Sequence, residues 1–346
     1  MNKFINRLKT KMICLLTAAA CTAVFAGCGS SADESASSSS AAGDMPKVII
    51  GQSSWLGYAP MYIAQDKGFF KKYGADVEIQ PIESKNDSKS ALAADRIQGI
   101  STTVDMHIMN EAAGLDIAQI LALDTSVGGD GIIAKPEYNS LEDLKGKKVA
   151  LDMTGSATFF FFQYLISQKG MTLDQFDIQN MTGGDAGAAF VAGKVDAAVT
   201  FQPWLSKAET SNTGHTIVSS KDYPGIIVDT FAMKKSYIKE HPEVAKAIVN
   251  GWYDALDYMK TNPDDAIAII AKHVGQKPEE VKAQLGDIQF YDEAGNKAYF
   301  GTPDNPGDFY KVSNMLNDLW VKLKIIDKPV DAASIIDGSY LDKIAK

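Results

Sequence analysis

From Lys47 onward the chain alternates short apolar runs with amphipathic helical segments, and this rhythm limits the fold more than any other feature. Val48-Ile49-Ile50 reads as a buried strand, followed by a turn over Ser53 to Tyr58. Pro60 suits the first turn of a helix that runs to Lys72, and Gly74 ends it. Ala75 to Gln80 alternates as the next strand. A helix over Ser88 to Asp95, a strand over Gly99 to Thr103, a helix over Asp105 to Ala113 and a strand over Ile117 to Leu123 continue the pattern. After Pro136 the rhythm restarts. Ser140 to Leu144 begins a short helix, with Ser140 as N-cap and Asp143 at the capping-box position. Lys147 to Asp152, Phe176 to Met181 and Val195 to Thr200 read as strands, separated by helices over Ser156 to Lys169 and Asp185 to Ala192, and Pro203 starts another helix. From Ser236 helices dominate, among them Pro242 to Asn262 and Pro263 to His273. Such alternation predicts an α/β fold with parallel sheets covered on both faces. A chain of about 300 ordered residues divides more readily into two domains than one.

Ahead of this body stands a basic and apolar leader. Lys3, Arg7, Lys9 and Lys11 precede an almost wholly apolar or small stretch, Met12 to Ala26. Its length suits a signal-peptide core and is short for a membrane span. Ala26 and Gly27 directly before Cys28 resemble a bacterial lipobox, which predicts a signal peptide over 1–27 and lipidation, with palmitate, at Cys28. Phe25 departs from the aliphatic residue usual there, and a plain secretory signal is the alternative. Residues 28–45 are Ser/Ala-rich and read as a flexible tether. The expected location is the extracytoplasmic face of the cell membrane.

Composition narrows the chemistry. Cys28 is the last cysteine, so the body can form no internal disulfide, thiolate metal site or cysteine nucleophile. Only His107, His215, His241 and His273 supply imidazoles, and no two stand at ligand spacing. No metal or cofactor is expected. Loss of the leader's four cations takes the formal charge from −9 to −13, which argues against nucleic acid as a partner. Arg96 is the only arginine after the leader. An anionic ligand would therefore need lysine, hydroxyls or helix N-termini.

Several segments, taken in order, resemble the nitrate/sulfonate/taurine-type ABC transporter substrate-binding proteins. They are Ser54-Trp55-Leu56-Gly57-Tyr58-Ala59-Pro60-Met61-Tyr62-Ile63-Ala64 with Lys67-Gly68-Phe69-Phe70, then Ser140 to Ala150, Asp185 to Ala198, and Pro203-Trp204. The resemblance covers essentially all of the chain after the tether. It implies a type II periplasmic-binding-protein-like fold, with two α/β lobes, a hinge of two crossover strands and the ligand between them. The expected partners are a small-molecule solute and an ABC permease and ATPase, and the protein is expected to be a monomer. The implied division is lobe one at 46–128, lobe two at 129–229, and a return to lobe one with C-terminal helices at 230–346.

Candidate ligand-binding residues follow from both lines of reasoning. Trp55 and Tyr58 lie in the loop after the first strand, at the carboxyl end where α/β sheets place ligands; they either face a ligand or cover the sheet edge. Thr154 and Ser156 open a helix whose free N–H groups favour an anion or carbonyl oxygen, although Ser156 also suits a plain N-cap. In the run Phe159 to Phe162 consecutive rings point different ways, so one or two at most can reach a cleft, and Phe159 is the candidate. Thr103 ends the third strand. Asp130 and Asp229 lie near the crossovers, where a buried carboxylate needs a partner. Gln202 and Trp204 complete the set. Related sequences often carry an acidic residue before Pro-Trp, and neutral Gln202 suits a polar or amide-like ligand.

The aromatic residues, the aspartates and the scarcity of arginine favour a small nitrogen-containing solute: an aminopyrimidine, an amidine or guanidine-like compound, or an amine. An aliphatic sulfonate, taurine or nitrate held at the Thr154–Ser156 helix start is the alternative. Some proteins of this fold synthesise a pyrimidine precursor of thiamine, using a cysteine-rich motif that this body lacks, so a non-enzymatic role is expected. A ligand-sensing lipoprotein is a further reading.

Overall fold

The computed structural model describes residues 45–302 and 304–344. The leader, Cys28 and most of the tether lie outside the described residues. β1 (Lys47–Gln52) leads through a 3-10 turn at Leu56–Tyr58 into α1 (Ala59–Asp66) and α2 (Phe69–Lys72). The single helix expected from Pro60 to Lys72 is two, because Gly68 takes a left-handed conformation with φ of 71°. β2 (Asp76–Pro81), α3 (Lys85–Ala93), β3 (Gly99–Thr103), α4 (Val104–Ala112) and β4 (Ile117–Ser126) follow. α3 begins earlier than its apolar pattern suggests, because the Ser84 hydroxyl accepts the Asp87 N–H at 3.2 Å.

The chain then builds a second sheet. It comprises β5 (Asp130–Ala134), β6 (Lys148–Leu151), α5 (Ala157–Gln168), β7 (Asp177–Asn180), α6 (Gly183–Val191), β8 (Ala197–Phe201), α7 (Trp204–Thr210) and β9 (His215–Ser219). β10 (Val228–Lys234) returns to the first sheet. Beyond it come α8 (Lys235–Glu240), α9 (Pro242–Thr261), α10 (Pro263–Val274), α11 (Pro278–Gln284), β11 (Ile288–Phe290), α12 (Glu293–Phe300), α13 (Asp308–Lys322) and α14 (Ala332–Ile335). Proline opens α9, α10 and α11, where its missing N–H has no intrahelical partner to lose.

The sheets run β11-β4-β10-β3-β1-β2 and β7-β6-β8-β5-β9. This is the two-lobed, mixed α/β architecture that the resemblance implied. The sheets are not wholly parallel, as alternation alone predicted. β10 lies antiparallel between β3 and β4, and β5 pairs antiparallel with both β8 and β9. A strand that crosses between lobes enters the other sheet reversed, and local periodicity does not record that direction.

Hydroxyls join the two crossovers. Ser220 Oγ meets Ser126 Oγ at 2.8 Å and accepts the Gly128 N–H at 2.8 Å. Thr125 Oγ1 donates to the Ile227 carbonyl at 2.9 Å. Apolar burial then holds the layers together. α9 turns Val244, Ile248, Trp252 and Leu256 inward, and Gly251 lets the Phe70 ring lie against its backbone. The aromatic run of α5 is core. Phe159 stacks on Trp320 of α13 at 5.7 Å, Phe160 meets Trp320 edge-on at 6.0 Å, Phe161 faces Tyr223 and Phe162 faces Phe176.

Candidate functional site

A cavity of about 650 Å³ opens between the two sheets. Its walls bring together eight of the ten residues singled out from the sequence: Trp55, Tyr58, Thr103, Asp130, Ser156, Gln202, Trp204 and Asp229. Thr154 and Phe159 are elsewhere. Thr154 is exposed, and both its N–H and its hydroxyl donate to Asp152 Oδ1, at 2.9 and 2.6 Å, in a turn ahead of α5. Phe159 is covered by Trp320.

The first lobe contributes an aromatic and acidic wall. Trp55 Nε1 donates to Asp124 Oδ1 at 3.0 Å, and its ring meets Phe201 of the second lobe edge-on at 6.4 Å. Tyr58 Oη donates to Asp229 Oδ1. Asp229 pairs in register with Thr103 on one side and Asp124 on the other, which places the three side by side across the sheet. Thr103 occupies the N-cap position of α4, and its buried hydroxyl lacks a hydrogen-bond partner. Asp105 sits in the first turn of α4 behind this wall.

These carboxyls are hard to ionise. Burial, opposed by the Tyr58 hydroxyl, pushes Asp229 up to about 6. Burial raises Asp130 and Asp105 to about 7 each, with the neighbouring Ser126 hydroxyl pulling Asp130 the other way. Asp124 is likewise raised well above the ordinary value, by burial and then by the charge of Asp229.

Gly57 makes this packing possible. A Cβ there would stand 2.1 Å from Asp124 Oδ2 and 2.2 Å from Trp55 Nε1. Gly57→Ala is therefore expected to break the Trp55–Asp124 bond and destabilise the fold by about 1–3 kcal/mol. Urea unfolding followed by tryptophan fluorescence checks this, and an unchanged midpoint would contradict it.

The second lobe contributes donors. Ser156 occupies the N-cap position of α5 without a side-chain cap bond; its hydroxyl lies 2.8 Å from that of Thr158 instead. Thr182 caps α6, accepting the Asp185 N–H at 3.3 Å, and the first turn Gly183-Gly184 lines the same cavity. Two helix N-termini thus face one space, with the free N–H groups and positive helix ends that attract anions. The Gln202 amide is already engaged. Its Nε2 donates to Asp287 Oδ2 at 3.0 Å, and its Oε1 accepts from the Ser206 N–H and hydroxyl at 3.2 and 2.9 Å. It serves as a tie between lobes as much as a wall of the cavity. Trp204 lies over Gly187, with the Lys207 ammonium 4.6 Å from its ring centroid. Among the described residues, no group of three or more His, Cys, Asp and Glu side chains is arranged to hold a metal ion.

The sequence profile of the family described as NMT1/THI5 like matches residues 55–266, from Trp55 through most of the body. This chain belongs to that family. Among individual relatives, a binding protein of Bacillus subtilis (strain 168) provisionally named for aliphatic sulfonates is 24% identical over 330 residues, covering 92% of this chain and 93% of its own. The taurine-binding periplasmic protein of Escherichia coli (strain K12) is 25% identical over 210 residues, 59% of this chain and 64% of its own. In fold, the chain is similar to the alkanesulfonate-binding protein SsuA of Xanthomonas axonopodis pv. citri, solved bound to MOPS. The TM-score is 0.69 at 16% identity, covering 84% of this chain and 98% of that one.

Within this NMT1/THI5-like chain, sequence reasoning missed Lys85, Glu83, Asp152 and the Thr182–Gly184 helix start, all of which line the cavity. A signal for Lys85 was present: Ser84 is a serine N-cap at the carboxyl end of β2, so the residue after it opens a helix beside the cleft.

Proposed function

We propose that this chain is the solute-binding component of an ABC importer. It captures a small oxyanion-bearing solute, of the sulfonate, taurine and nitrate kind, and delivers it to the permease and ATPase. The observation that carries this reading is the cavity between two lobes linked by two crossovers, a geometry in which hinge closure encloses a ligand. The names of the relatives support the oxyanion over the nitrogen-containing solute favoured by composition alone. The two helix N-termini and Lys85 supply the means to hold it. Lobe two spans 129–229 in this reading, and a lipid on Cys28 tethers the chain at the extracytoplasmic face beside its permease. The role is non-catalytic.

A second reading rests on Asp130 and Asp229, whose buried carboxyls line the cavity and suit a protonated nitrogen. Taurine carries both kinds of group. Thermal-shift screening with ethanesulfonate, taurine and nitrate on one side, and aminopyrimidines, guanidines and simple amines on the other, tests the choice. A ligand at about 100 times its Kd stabilises by about 2.7 kcal/mol. Stabilisation by the first group is expected; stabilisation confined to the second overturns the oxyanion reading.

A further inference from the structure

We propose that Lys85 determines the sign of the solute's charge, by acting as the counter-ion for an anionic group in a cavity whose other ionisable walls are acidic. The inference rests on the reading of this cavity as an oxyanion-solute site.

Among the described residues, Lys85 is the only cationic side chain lining the cavity, where it is outnumbered by Glu83, Asp130, Asp152, Asp185 and Asp229. Left to those carboxyls, an anion would meet no side chain of opposite charge. Nor is the lysine committed to any one of them. Asp229, Glu83, Asp105 and Asp152 act on it through space, and none is its hydrogen-bond partner.

Its position is unfavourable for a cation in two independent ways. It is the first residue of α3, where the helix end already carries partial positive charge. It is also half-buried, and the loss of surrounding water lowers its pKa. The surrounding carboxyls offset part of these penalties, and an anion bound in the cavity would offset more, so an ammonium here suits an anionic ligand.

A second observation points the same way. Lys85 also borders a chamber of about 10 Å³, room for about one water, walled by Ser101, Thr102 and Asn110. Ser101 Oγ, Thr102 Oγ1 and Asn110 Oδ1 are all buried there without hydrogen-bond partners. Lys85 therefore borders both this polar chamber and the ligand space. The N-termini of α5 and α6 enter that same space, so an oxyanion can be shared between Lys85 of the first lobe and backbone donors of the second. Such sharing also ties binding to closure, because each lobe holds one side of the anion.

The test is calorimetric titration of the full chain in detergent with ethanesulfonate and, separately, ethylammonium. Lys85→Met is expected to weaken ethanesulfonate by at least about tenfold, the loss of one charge-assisted contact, and to strengthen ethylammonium. Lys85→Arg keeps the charge and is expected to retain ethanesulfonate binding. The melting temperature of unliganded Lys85→Met should equal or exceed that of the wild type, since a burdened cation is removed; this separates lost binding from lost folding. An unchanged ethanesulfonate-to-ethylammonium ratio in Lys85→Met overturns the assignment and leaves the solute-binding reading in place. Failure of the wild-type chain to bind ethanesulfonate overturns both.

Discussion

Replacing Trp320 by alanine is expected to lower the unfolding free energy by about 3–5 kcal/mol. The ring is fully buried on α13, with Phe159 stacked on one face at 5.7 Å and Phe160 against it at 6.0 Å. α13 packs on α4 of the first lobe, whereas α5 belongs to the second, so the cavity left behind would fall between lobes and could not collapse without moving one of them. Calorimetry should show a melting temperature lower by on the order of 10 °C. Trp320→Phe keeps most of the apolar surface and removes an indole N–H that is buried without an acceptor, so it should lose less than about 1.5 kcal/mol. A Trp320→Ala chain as stable as the wild type would contradict this packing. The companion Phe159→Leu should leave solute affinity unchanged, because that ring is core and does not line the cavity.

The second large effect is on pH dependence, and its sign is opposite to that of ordinary salt-bridged aspartates. Asp105 and Asp130 ionise at about 7 and Asp229 at about 6 in the folded chain, against 3.8 as the ordinary value, with burial as the main cause in each. Between about pH 4 and pH 7 the folded chain therefore binds protons that the unfolded chain has released, and unfolding free energy falls as pH rises through that window. Raising one carboxyl from 3.8 to about 7 corresponds to about 4 kcal/mol between its protonation states. Several kcal/mol of stability should accordingly be lost by pH 8 relative to pH 5. Asp130→Asn, which cannot ionise, should flatten the profile and raise stability at pH 8. Urea midpoints measured from pH 4.5 to 8 check both expectations; a midpoint that rises with pH would contradict them.

Elements whose signals are local were legible in the chain. β3 occupies Gly99–Thr103 as expected, and prolines mark the starts of α9 and α10. Ser140 and Asp143 exchange the expected capping-box bonds, at 3.0 and 3.3 Å. Less legible were the break at Gly68, where a glycine inside an otherwise helical pattern turned left-handed, and the reversed strands β5 and β10. At the site, aromatic and acidic loop residues were found because their types are unusual there, whereas Lys85 looks like any surface lysine until the fold encloses it. Thr154 and Phe159, also singled out from the sequence, lie outside the cavity walls. Each has a type suited to ligands, but the nearby Asp152 engages one and the distant Trp320 covers the other.

From the sequence alone come the α/β alternation, the lack of cysteine beyond Cys28, the scarcity of arginine and the family resemblance, because each is a property of composition or of neighbours along the chain. The sign of the cavity's charge and the membership of its walls belong to the tertiary structure. Tyr58 reaches Asp229 across 171 positions, Trp55 reaches Asp124 across 69, and Lys85 comes to line one cavity with the helix starts of the other lobe only once both sheets are folded. Burial then shifts each of those carboxyls, and burial is set by everything packed around a group rather than by its place in the chain.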